Sequence, residues 1–171
     1  MRERLRYVDE RDKCIGLAGM VVSVFVSKAD ERICSISLDD DEGISFVPEL
    51  LFTGNPALSL RKAFAKRVEQ FKMEASMFVA NVLSRARINY GGGVSGKMAG
   101  EIFDILRNEG VAHYALGEDE VRLIANDIWH RMDSVFANKR VCDVTTSISD
   151  LLGTRRTISA SDVLMLLDGL F

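Results

Sequence analysis

Residues 57–88 of this 171-residue chain read ALSLRKAFAKRVEQFKMEASMFVANVLSRARI, the longest uninterrupted helical pattern in the sequence. Apolar side chains recur there at alternating steps of four and three residues, which places them in one stripe along a helix. We call this stripe the seam; it consists of Phe64, Val68, Phe71, Ala75, Phe78 and Val82. The stretch therefore predicts one long helix whose seam is either core or an interface.

The two halves of this predicted helix differ in character. From Ala75 to Leu83 apolar residues point almost all round, which is typical of a helix that is buried on several sides. From Leu60 to Lys72 the polar side is strongly basic, with Glu69 as the only acid. The basic face consists of Arg61, Lys62, Lys66, Arg67 and Lys72, with Arg85 and Arg87 further along. We expect the first half to face water or a partner.

The predicted helix is also long for a chain of this size. Unbroken, it would measure roughly 45–50 Å, whereas a compact chain of this length has a diameter of about 40 Å. The helix is therefore expected to cross the whole protein, to kink or to project from it.

Composition indicates a globular protein. The hydrophobic content of 47 % is that of a chain with one core, and the net charge of -3 gives no overall attraction to nucleic acid. We predict a single domain over residues 1–171, with an N-terminal arm and hairpin region at 1–56 and a helical region at 57–171. The three cysteines follow no metal-binding or disulfide spacing, which favours a cytoplasmic protein with reduced thiols.

Two short stretches near the N-terminus favour β-strands. Met20–Val26 is β-branched and aromatic, and Ile33–Leu38 alternates apolar residues with serines. The short polar connection between them predicts a β-hairpin, to which Ile44–Val47 adds a third strand. The apolar run that precedes residue 27 is too short to cross a membrane.

The remaining pattern is helical. Asn55 and Pro56 suit the start of the long helix, and the glycines at 91–93 suit its end. A further helix is predicted from Gly96 or Lys97 to Glu109, with Ser95 as its N-cap and Gly110 as its stop. Others are predicted from Glu118 to about Asn138, over Ser147–Leu152, and from Ala160 to Asp168, the last with a capping box at Ser159 and Asp162. The predicted class is α+β: an N-terminal antiparallel hairpin or three-stranded meander, followed by a mostly helical bundle around one long central helix.

The loop after the long helix carries a candidate anion site. Residues 91–97 read GGGVSGK, which fits GxxxxGK and resembles the phosphate-binding P-loop of nucleotide triphosphatases. The pattern departs from that family at Met98, where a hydroxyl is required, and it follows a helix where a strand is required. The candidate anion-binding residues are Gly93, Ser95, Gly96 and Lys97.

Other chemistry lacks support in the sequence. The acidic run at residues 39–42 does not have the spacing of an EF-hand loop, so we interpret it as a solvated turn. His113 and His130 have no partners with the spacing of a metal site or a catalytic triad. We therefore predict no catalytic residue, no metal and no cofactor.

These observations favour a non-catalytic protein that acts through protein–protein contact, as a homodimer in which the long helix forms part of the interface, or with an acidic protein partner. The alternative is phosphate or nucleotide binding at residues 91–97. A third hypothesis is nucleic-acid binding through the basic face, which lacks the exposed aromatic side chains typical of such surfaces. No membrane association is expected.

Overall fold

A computed structural model describes residues 5–47 and 60–168, with side chains from residue 63 onward in the second range. The helices are α1 (Glu10–Val26), α2 (Leu60–Tyr90), α3 (Gly96–Tyr114), α4 (Glu118–Ala137), α5 (Lys139–Arg155) and α6 (Ala160–Leu167). The strands are β1 (Ile33–Ser37), β2 (Ile44–Phe46) and β3 (Thr157–Ser159), and a 3₁₀ turn at Asp30–Arg32 precedes β1. The predicted α+β class is confirmed.

Four helices form a bundle with α2 at its centre. Helix α1 packs on α2 and α5, and α4 packs on the same two helices, so the four elements contact one another in a closed cycle. Helix α3 lies outside this cycle against α4 and α2. One buried cluster of apolar side chains joins the bundle to the sheet. The predicted role of the long helix as the centre of the bundle is confirmed.

The sheet has the order β2-β1-β3 and is antiparallel throughout. Ile36 in the middle strand pairs with Ile44 on one side and with Ile158 on the other, and all three side chains are buried. The strands predicted at Ile33–Leu38 and Ile44–Val47 are confirmed as β1 and β2. The third strand, β3, comes from the far end of the chain and was not predicted.

The strand predicted at Met20–Val26 is wrong, because these residues form the second half of α1. Two glycines explain why a β-branched run is helical here. A Cβ on Gly19 would lie 2.2 Å from the Ser84 hydroxyl and 2.9 Å from the Ala80 carbonyl oxygen, and one on Gly16 would lie 2.7 Å from the Asn81 amide. Close packing on α2 outweighs the local preference for strand.

Helix boundaries were predicted with mixed success. The predicted stop at Gly110 is wrong, because α3 continues to Tyr114. Gly110 has no Cβ, and this lets α3 pack closely against Val121 and Phe71. The helix predicted at Ser147–Leu152 is too short, because α5 begins at Lys139. The N-cap at Ser95 and the capping box at Ser159 are confirmed. The predicted start at Asn55 and Pro56 lies outside the described residues.

Helix α2 is continuous over 31 residues, and its two halves differ in burial as predicted. On the seam, Phe71, Ala75 and Val82 are no more than 3 % exposed, whereas Phe64 is 38 % exposed. The second half of α2 is thus the buried centre of the bundle, and the first half is uncovered by the described part of the chain.

Candidate binding groove along helix α2

The basic face lies on the uncovered half of α2. Lys66, Arg67 and Lys72 are exposed. Between Ala63 and Gln70, Val68 is half-buried and the other residues are exposed. Arg61 and Lys62 belong to the same helix, but their side chains lie outside the described residues. Arg85 and Arg87, further along, do not extend this surface: Arg85 is 3 % exposed, and Arg87 is paired with Asp133 at 2.8 Å.

A groove of about 550 Å³ separates this part of α2 from the sheet. Helix α2 lines it with one face whose residues recur at steps of three and four, from Lys66 to Met77. Three methionine side chains, Met20, Met73 and Met77, face Phe46 and Val47 across it. Methionine adapts its shape to different apolar contacts, so this part of the groove suits an apolar side chain.

A second recess of about 310 Å³ continues the groove toward the end of α1. It shares Arg32 and Met73 with the first and adds Lys72 and Arg131. We call Arg32, Lys72 and Arg131 the cation triad; among the described residues that line the recess, Glu69 is the one carboxylate. Three elements contribute the triad: the turn before β1, α2 and α4.

Two cations of the triad have described contacts. Arg131 donates to the Ser76 hydroxyl at 3.2 Å, and Arg32 lies 3.7 Å from the Met73 sulfur, which is a poor acceptor. Within the described residues, neither Lys72 nor Arg131 is paired with a carboxylate. The recess is therefore lined by two cations, Lys72 and Arg131, that no described carboxylate neutralises.

Two acidic side chains also line the groove. They are Glu42 and Glu74, and Gln70 donates to Glu74 at 3.1 Å. Burial and a hydrogen bond to Glu74 raise the pKa of Tyr114, whose phenol stays protonated. The described lining of the groove thus combines cationic, apolar and acidic side chains.

The glycine-rich loop has a different geometry. Ser95 caps α3, with its hydroxyl accepting from the Met98 backbone N–H at 3.3 Å. Gly93 and Ser95 line a cavity of about 150 Å³ together with Arg85. Gly96 and Lys97 are exposed and do not line it. The structure therefore brings two of the four predicted anion-binding residues to one cavity.

The acidic loop after β1 has a structural partner. Arg156, whose backbone φ is 62°, donates to the Asp39 carboxylate at 2.5 Å and to Glu10 at 3.3 Å. The hydrogen bond from Arg156 lowers the pKa of Asp39. Across residues 5–47 and 60–168, no group of three or more His, Cys, Asp or Glu side chains is arranged to hold a metal ion.

Comparison of the chain with models of known protein families and with curated protein sequences finds no match. Among the described helices, none combines the length and the apolar character that crossing a bilayer requires.

The predicted basic face includes Lys66, which lines the groove, and Lys72, which lines the recess, but it does not include Arg32 or Arg131. Arg32 and Arg131 lie far from Lys72 in sequence, and no local spacing links them. A usable signal was present in Lys66, Gln70, Met73 and Met77, whose helical spacing forms a second stripe nearly opposite the seam.

Proposed function

We propose that this protein acts without catalysis by binding an acidic protein partner through the basic, uncovered half of α2. The supporting observation is the change of exposure along one helix: the seam residues Phe71, Ala75 and Val82 are buried, whereas the cations Lys66, Arg67 and Lys72 remain exposed. A surface of one sign attracts a partner of the other sign and speeds the encounter. The free thiols Cys14, Cys34 and Cys142 favour a cytoplasmic setting.

A second copy of the chain is the competing partner. The seam continues past the bundle to Val68 and Phe64, as a dimer through α2 requires. In a parallel pair packed along the seam, however, Arg67 and Lys72 take the flanking positions that face each other across the interface. Opposite charges are preferred there, so an acidic partner fits this surface better than a second copy does.

Binding of a fluorescently labelled oligoglutamate peptide, measured by anisotropy at low and high salt, tests the proposal. We expect binding that weakens with salt and that the double variant Lys66→Glu/Lys72→Glu loses. Lys139→Glu, an exposed lysine outside the groove, is the control, and it changes the net charge by half as much as the double variant does. Absence of peptide binding to the wild type would contradict the proposal.

Two further measurements separate the competing functions. A DNA duplex in the same assay tests nucleic-acid binding, which predicts an affinity that falls steeply with salt; DNA that binds more tightly than oligoglutamate would favour that function. Light scattering over a range of concentrations tests the homodimer, and a dimer that Phe64→Asp dissociates would favour the second copy.

Phosphate binding at the glycine-rich loop remains the alternative function. The observation that favours it is the cavity shared by Gly93, Ser95 and the buried Arg85 at the start of the 19-residue helix α3. A bound anion must raise the melting temperature by mass action. A panel of inorganic phosphate, polyphosphates and nucleotides that leaves the melting temperature unchanged would remove this alternative.

A further inference from the structure

We draw no further inference here: the strongest candidate, the cavity of about 150 Å³ between the end of α2 and the start of α3, belongs to the candidate anion site already described, and the buried Arg85 that lines it is already paired with Asp12.

Discussion

Arg85 and Asp12 form a buried ion pair where α1 crosses α2, with both side chains 3 % exposed. Asp12 also accepts hydrogen bonds from the Val8 backbone N–H and from Asn89, at 3.0 and 2.9 Å. The Arg85 guanidinium lies over the Tyr7 ring at 4.9 Å from its centre. Among the residues that the structure describes, Arg85 Nε has no hydrogen-bond partner. This network fixes α1 on α2, and it explains why the Arg85 side chain is buried and does not belong to the exposed basic face of α2.

The first prediction concerns the loss of this arginine. Arg85→Met leaves the buried Asp12 carboxylate without its counter-charge, which costs about 3–5 kcal/mol in comparable buried pairs. Urea unfolding followed by circular dichroism measures the change. The double variant Asp12→Leu/Arg85→Met should recover much of the loss, because neither side chain then carries a buried charge. A single variant as stable as the wild type would show that the pair does not hold the two helices together.

The second prediction concerns acid stability. Burial on its own would raise the pKa of Asp12, but hydrogen bonds from Arg85, Val8 and Asn89 outweigh it, so the pKa lies below its ordinary value. A carboxyl with a lowered pKa stabilises the fold at pH values above its unfolded pKa of about 3.9. That contribution is lost as the pH falls through the folded pKa. We expect the free energy of unfolding to fall below about pH 4, and to fall less steeply in Asp12→Asn.

At the scale of elements, the sequence correctly predicted the features that depend on residues close together in the chain. The spacing of the seam identified α2, and Ser95 and Ser159 identified two helix starts, because periodicity and capping depend on neighbouring residues. Helix α1 was missed because it packs against both α2 and α5, which leaves no polar side to produce a periodic pattern. Strand β3 was missed because its partner β1 lies more than a hundred residues away.

The same limit applies to the groove. Lys66 and Lys72 were predicted as members of one basic face because they share one helix. Arg32 and Arg131 reach the recess only through the tertiary packing of the turn before β1 and of α4. Arg85 was grouped with the exposed cations because a helical pattern does not reveal a buried partner that lies 73 residues away.

The third prediction concerns the contact between α1 and α2. Gly19→Ala would place a methyl group 2.9 Å from the Ala80 backbone carbonyl oxygen, which cannot move without displacing the helix. Overpacking of this kind costs about 1–3 kcal/mol. Gly100→Ala is the matched control in α3, because Gly100 is exposed and has no atom within 4 Å of the added Cβ.

The control should respond in the opposite direction. Alanine is favoured over glycine inside a helix by about 1 kcal/mol, so Gly100→Ala should raise the free energy of unfolding while Gly19→Ala lowers it. Urea denaturation of the two variants under one set of conditions makes the comparison. Two substitutions that change stability in the same direction would contradict the assigned packing of α1.

At the scale of the whole molecule, one helix forms the centre of the core and also carries exposed cations in its first half. Helix α2 packs against α1, α4 and α5. In its first half Phe71 is buried beside Tyr114 of α3, whereas residues 63–67 are exposed in the described part of the chain. A helix that is stable by itself needs more length than this first half has, so the enclosed half must stabilise the exposed one. The proposed binding surface is therefore attached to the core through one continuous helix.

The fourth prediction follows from this arrangement. Backbone amides in a buried element exchange with solvent only through large openings, whereas those in an exposed helical end exchange through local fraying. Hydrogen exchange should therefore be faster over residues 63–69 than over 75–84 by about a hundredfold or more. Addition of the oligoglutamate peptide should slow exchange in the first range and leave the second unchanged, because only the first carries exposed cations. Uniformly slow exchange along all of α2 before any peptide is added would mean that its first half is already covered. If exchange over residues 63–69 then slows further as the protein concentration rises, a second copy of the chain covers it.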